Sequence, residues 1–399
     1  MQTRLGAELL ETAQGQEADA ILRKCVHCGF CNATCPTYQL KGDELDGPRG
    51  RIYLIKEMLE GENAGAGTLL HLDRCLTCRN CETTCPSGVE YGRLLDIGRA
   101  VAEERISRPL SERAARYWLR KVLTRPRLFK ALLGLGRRAE SFLPAMLAGK
   151  IPDKRPFLAW PKPRHARRML VLDGCVQPAL APNINVRAAR VLDKLGVSLI
   201  RARGAGCCGA LSQHLAAPEE ARDFMRRNID AWWPHVETGV EAIVMTASGC
   251  GVQVKDYGYL LKDDLAYAEK AARVSALTRD IGEVLRDEDI SGLTGRKRRV
   301  AYHPPCTLQH GQKLPGLVEE VLRRLGHELV PVADAHLCCG AAGTYALLQP
   351  EMALQLREEK LAALRAGAPE MIVSANIGCI THLAAGSGVP VVHWLELID

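Results

Sequence analysis

Sixteen cysteines in two blocks of eight constrain this chain more than any other feature of it. The first block lies between Cys25 and Cys85 and contains a repeat. C-V-H-C-G-F-C-N-A-T-C-P at 25–36 returns as C-L-T-C-R-N-C-E-T-T-C-P at 75–86. Both copies read C-x2-C-x2-C-x3-C-P, the bacterial spacing for cubane [4Fe–4S] clusters, in which the fourth cysteine of each run ligates the other cluster. Three cysteines at two-residue intervals wrap a loop around one cube, and the last is held away by the proline. The spacing therefore assigns Cys25, Cys28, Cys31 and Cys85 to one cluster, and Cys75, Cys78, Cys81 and Cys35 to the other. Zinc on C-x2-C pairs is the weaker reading, because zinc sites rarely use four cysteines in a crossed pattern. Gly29 suits a close approach of backbone to sulfur. His27, between two ligands, reads as a solvent-exposed loop histidine.

The second block is a longer repeat. Cys175, Cys207, Cys208 and Cys250 recur as Cys306, Cys338, Cys339 and Cys379, offset by 131 residues at the first three positions and 129 at the last. Both adjacent pairs continue as C-C-G-A. Strand-like apolar runs end at the outer cysteines: MLVLDGC, RVAYHPPC, EAIVMTASGC and PEMIVSANIGC. GVSLI and GHELV read as further strands, and PEEARDFMRRNIDAWW and PEMALQLREEKLAAL as helices opened by proline. Strand and helix alternate, so each half is expected to be an α/β unit with a mostly parallel sheet, its cysteines at strand ends and in the following loops. Four thiols per half suffice for one or two more clusters. A redox dithiol and reduced structural cysteines remain alternatives, although adjacent cysteines do not form a relaxed disulfide with one another. His303, His310, His336 and His382 lie near these cysteines and read as hydrogen-bonded loop histidines rather than ligands.

In the first block, RIYLIKEMLEG (51–61) carries Ile52, Ile55, Met58 and Leu59 on one helical face, and a helix over Ala18 to Lys24 leads into the first motif. The expected organisation is a helical two-cluster ferredoxin-type domain (1–104), a basic helical connector (105–168) and two CCG α/β units (169–290 and 291–399), a multidomain α+β and α/β fold. Between Arg105 and Arg168 stand 18 Lys/Arg and three acidic residues, a net of +15 against +7 for the whole chain, so the remainder is at −8. Trp118, Leu119, Val122, Phe129, Leu132, Leu133 and Leu135 interleave with those charges at helical spacing. Such a segment can dock on an acidic partner, lie on an anionic membrane, or connect its own domains. Nucleic acid is not expected, since no recognition motif accompanies the charge.

No secretory signal is expected from the opening residues, and no run of about 18 apolar residues is present. The expectation is a cytoplasmic protein, peripheral on the inner membrane. No P-loop, G-x-G-x-x-G or flavin fingerprint appears, so the chain reads as an electron carrier without its own substrate chemistry or flavin.

The stretches KCVHCGFCNATCPTYQLKGDELDGPRGRIYLIKEMLEG, HLDRCLTCRNCETTCPSG, AGCCGALSQHL, RRNIDAWWP, TASGCG, HLCCGAAGTYAL and ANIGCITHL resemble the iron–sulfur subunits of bacterial glycolate oxidase, and the resemblance runs from end to end. It implies a complex with two flavoprotein subunits. On that resemblance one of them would bear FAD and oxidise glycolate to glyoxylate, and this chain would pass the electrons on, to quinone at the membrane. The iron–sulfur subunits of lactate-utilisation and anaerobic glycerol-3-phosphate dehydrogenase systems share the plan and stand as alternatives. Heterodisulfide reductase subunits share the CCG halves but carry one more cysteine, where this chain has Gln253 and His382. That departure weakens a thiol–disulfide reductase reading.

Overall fold

The computed structural model describes residues 1–62, 64–138 and 157–398. The middle of the basic connector, with Leu143 to Pro156 among its residues, lies outside the described residues.

The N-terminal region is helical. Thr12 accepts a hydrogen bond from the Gly15 amide at 3.0 Å and caps the helix Ala13–Lys24, which ends at Cys25. Helix Pro48–Leu59 runs between the two cysteine motifs, and helix Tyr91–Arg105 packs across it. Ile21, Leu22, Ile55, Met58, Leu72, Leu94 and Leu95 interlock as the core. Helix Pro48–Leu59 approaches the 3-10 turn Glu44–Asp46 so closely that a Cβ on Gly50 would sit 2.1 Å from the Glu44 carbonyl oxygen. Backbone cannot move aside cheaply there. Gly50→Ala is expected to destabilise the chain by about 1–3 kcal/mol, read as a lower thermal midpoint under anaerobic conditions.

Eight strands follow among the described residues: β1 (Arg167–Val171), β2 (Val197–Arg201), β3 (Ile243–Met245), β4 (Thr278–Asp280), β5 (Arg299–His303), β6 (Glu328–Leu329), β7 (Met371–Ser374) and β8 (Val391–His393). They form two four-stranded sheets, ordered β2-β1-β3-β4 and β6-β5-β7-β8, and every pairing is parallel. The cysteine repeat is thus a repeat of topology. The edge strands β4 and β8 are three residues each, too short to be read in advance.

Both faces of each sheet are buried, which is why the strands read as unbroken apolar runs. In the first sheet Leu170 and Leu172 face helix Pro218–Glu237, while Met169 and Val171 face the other way. That second face meets its counterpart: Val171, Val244 and Ile281 share one cluster with Val300, Val373 and Trp394. The two α/β units therefore close on a common core. His393 Nε2 lies 2.9 Å from the Thr246 carbonyl and ties β8 to the other half.

Two helices of the connector, Leu110–Leu123 and Pro126–Arg138, contain no buried residue. Arg116 pairs with Asp73 at 2.7 Å and Lys121 with Glu220 at 3.0 Å, so the first of them spans both parts of the molecule. Among the described residues no helix is long and apolar enough to cross a membrane.

Candidate functional site

The two N-terminal motifs adopt matching loops. His27 and Thr77 have φ of 56° and 53°, and Gly29 and Arg79 have φ of 81° and 59°. Arginine takes the left-handed conformation in the second copy, so the turn alone does not demand glycine. A Cβ on Gly29 would meet the Arg49 guanidinium at 2.6 Å, the far end of a flexible side chain that would have to move aside. His27 is exposed and faces Tyr53 edge-on.

Cys25, Cys28, Cys31 and Cys85 line one cavity, and Cys35, Cys75, Cys78 and Cys81 line a second. Cys81 borders both, and Thr34 Oγ1, next to Cys35, meets Thr84 Oγ1, next to Cys85, at 3.1 Å. Burial first, then the neighbouring Cys25 and Cys85, pushes the Cys31 thiol up to about 11. Burial, then Cys306 and Cys35, raises Cys78 well above its ordinary value. Buried thiols that raise one another in this way need a cation to be held as thiolates. Two sets of four soft donors suit two cubane clusters.

Each C-terminal quartet is drawn together in space. The Cys306 and Cys338 sulfurs are 3.8 Å apart. Hydrogen bonding to Cys338, then burial, raises Cys306, and Cys175 is raised in the same way by Cys207. Not all of these cysteines lie in loops. Cys250 and Cys379 sit in the first turns of helices Ser248–Lys255 and Ile377–Ala384, because β3 and β7 run almost directly into those helices. Asn376 holds the halves in register, donating to Cys379 Sγ at 3.5 Å and accepting from the Gly249 amide at 3.4 Å.

Both quartets open on one cavity of about 660 Å³. Cys175, Cys207, Cys208 and Cys250 line one part of it, and Cys306, Cys338 and Cys379 another. Cys75 and Cys78 of the N-terminal region line it too, as do Leu123, Phe129 and Leu133 of the connector. Cys78 also shares an apolar cluster with Cys306 and Cys338. The seam is sealed by Arg79–Asp256 at 3.1 Å and by Asn80 Nδ2 donating to the His336 carbonyl at 3.3 Å.

Family models match the two cysteine-bearing parts of the chain separately. A 4Fe-4S dicluster domain family matches residues 21–89, and a cysteine-rich domain family (CCG) matches 169–255 and 300–384. The glycolate oxidase iron–sulfur subunit of Escherichia coli is 57% identical over 402 residues, which cover 100% of this chain and 98% of that protein. This chain belongs to that family. A probable glycolate oxidase iron–sulfur subunit of Bacillus subtilis is 30% identical, covering 92% of this chain and 89% of its own length. Lactate utilization protein A of Bacillus licheniformis is 26% identical over 56% of this chain and 96% of its own length. Like its family, the chain is an iron–sulfur protein of electron transfer.

Several residues of this family member matter to the site although motif spacing does not announce them. Arg51 is 1% exposed, with Nε donating to the His71 carbonyl at 2.7 Å and Nη1 to Thr37 Oγ1 at 3.1 Å. Its Nη2 meets Asp46 at 3.4 Å, and Arg74 holds the other Asp46 oxygen at 2.9 Å. Arg51 follows the Ile55 and Met58 stripe of its helix, so a charge on an apolar face was the legible signal. Arg99 donates to the Cys75 carbonyl at 2.9 Å, and the Thr77 amide and Tyr91 hydroxyl reach Cys75 Sγ at 3.4 and 3.6 Å. Lys360, 4% exposed, donates to the Asp334 carbonyl beside the second quartet, whose thiols act against the lowering that burial imposes on it.

The histidines divide. His310 bridges Thr83 Oγ1 at 2.9 Å and the His336 carbonyl at 3.0 Å, and His382 bonds the Ala353 carbonyl at 3.1 Å from a helix. His303 is not a loop residue. It ends β5, is 1% exposed, and burial lowers its imidazole to about 3.

Proposed function

We propose that this chain takes electrons from a flavoprotein partner that oxidises glycolate and delivers them to a membrane quinone. The bound clusters supply one-electron transfer; the polypeptide supplies their order. Cys25, Cys28, Cys31 and Cys85 hold the first, and Cys35, Cys75, Cys78 and Cys81 the second. The observation that carries this reading is a spatial sequence of thiol sets. It runs from exposed Cys28, through Cys81 between the two N-terminal cavities, to Cys78 against Cys306 and Cys338.

Entry is at Cys28, where Val26 and Phe30 are 66% and 61% exposed and offer an apolar face for the flavoprotein. Arg51, Arg99 and the seam around Arg79 surround the second set with positive charge and favour its reduced state. Both quartets hold further iron–sulfur groups around the large cavity. At its mouth the connector helices turn Leu123, Phe129 and Leu133 inward and leave Leu110, Trp118 and Leu135 exposed among their basic residues. That composition suits an anionic membrane surface from which an apolar quinone enters.

Iron and acid-labile sulfide in the anaerobically purified chain are expected near twelve or sixteen, against about eight for two cubanes alone. The chain by itself should not oxidise glycolate. Adding it to its flavoprotein partners should confer glycolate-dependent reduction of a soluble quinone, and Cys28→Ser should abolish that reduction. Unchanged coupled activity in Cys28→Ser would refute the reading.

A further inference from the structure

The two quartets differ at one matched place in their sheets. His303 on β5 is the register partner of Ser374 on β7. The offset that relates Cys175 to Cys306 puts Leu172 in the place of His303, and the residue five before the last cysteine is Met245 in one half and Ser374 in the other. Leu172 and Met245 are ordinary members of an apolar core. His303 and Ser374 are equally buried, at 1% and 0% exposure. The fold is thus satisfied by an apolar pair, and the second half carries a polar one instead.

The hydrogen bonds determine the tautomer. The Ser374 hydroxyl donates its one hydrogen to the His303 carbonyl at 3.0 Å. Its oxygen, 3.1 Å from Nδ1, must then accept the Nδ1 hydrogen. Nε2 keeps a lone pair, is buried, and has no hydrogen-bond partner among the described residues. An acceptor buried in that state costs about 1–3 kcal/mol. An imidazole nitrogen of His303 and the sulfurs of Cys339 and Cys379 all lie within 4.8 Å of one another. A histidine locked through Nδ1, with Nε2 left open on a ring that stands beside two buried thiols, is prepared as a metal ligand.

We propose that His303 Nε2 ligates iron in the group held by Cys306, Cys338, Cys339 and Cys379, so that the second quartet is a mixed sulfur–nitrogen site and the first an all-sulfur one. This rests on the reading that the second quartet holds an iron–sulfur group. The imidazole is a fifth, neutral donor beside four thiols, so the two quartets carry the same thiol count and differ in their ligand set.

The test uses the full chain, purified anaerobically with ordinary or ¹⁵N-labelled histidine and examined by pulsed EPR across a redox titration. The expected result is a nitrogen coupling of bonding strength that changes with the label. It should vanish in His303→Leu and persist in altered magnitude in Ser374→Ala. The labelled wild type gives the answer even if His303→Leu does not fold. Iron content of Cys339→Ala separates the two possible failures. If iron falls there but the wild type shows no histidine coupling, or the coupling survives His303→Leu, the histidine ligand is refuted and the metal reading stands. If iron is unchanged in Cys339→Ala, the metal reading itself fails and the ligand with it.

Discussion

Replacing Cys78 with serine is expected to remove about four iron atoms from the purified chain and to stop electron delivery to the acceptor altogether. Cys78 is the one N-terminal thiol that both lines the second cavity and packs with Cys306 and Cys338. Loss of its ligand therefore interrupts the path where the two parts of the molecule meet, and leaves the set around Cys28 intact. With the flavoprotein partners and glycolate present, EPR should still show reduction of the first N-terminal centre while quinone reduction falls to background. Cys28→Ser should instead remove that first signal. If Cys78→Ser loses its iron yet reduces quinone at the wild-type rate, the route does not pass through this junction.

The second large effect is electrostatic. Arg51→Met should lower the midpoint potential of the second N-terminal centre by on the order of 100 mV. A unit charge several ångströms away, at an effective dielectric of about 20, is worth roughly 2 kcal/mol, and about 59 mV corresponds to 1.4 kcal/mol for one electron. The guanidinium is buried against Thr37 and the His71 carbonyl, beside Cys35 and Cys75, so solvent does little to screen it. Asp46 remains paired with Arg74 after the change, so no carboxylate is left alone. Arg51→Lys, which keeps the charge, should recover most of the shift. Equal potentials in wild type and Arg51→Met, by EPR-monitored titration, would show that Arg51 only braces the loop.

Much of this was written locally. A ligand run such as Cys25–Cys31 acts over a few residues, so its spacing already specifies a loop around one metal group. The apolar runs into Cys175 and Cys306 are strands because both faces of each sheet are buried, and the recurrence of the cysteines marked a repeated α/β unit, whose strand order the structure supplied. A resemblance spanning the whole chain pointed to the family. Arg51 was half-legible, as a charge on an apolar helical stripe.

What the tertiary structure decided is non-local. The cysteine spacing relates Cys175 to Cys306 but does not say that both quartets face one cavity. That follows from the common core around Val244, Val373 and Trp394, which turns the two sheets toward each other. Nor does spacing bring Cys78 to Cys306, 228 positions along the chain; the Asn80–His336 and Arg79–Asp256 contacts do. His303 read as one more histidine near a cysteine. Only the parallel register that sets it beside Ser374 consumes its Nδ1 hydrogen and leaves Nε2 buried and open. The candidate ligands were named by residue type and short spacing, which one segment can encode alone. The order of the sites, and the chemistry of the second quartet, depend on surfaces meeting across hundreds of residues.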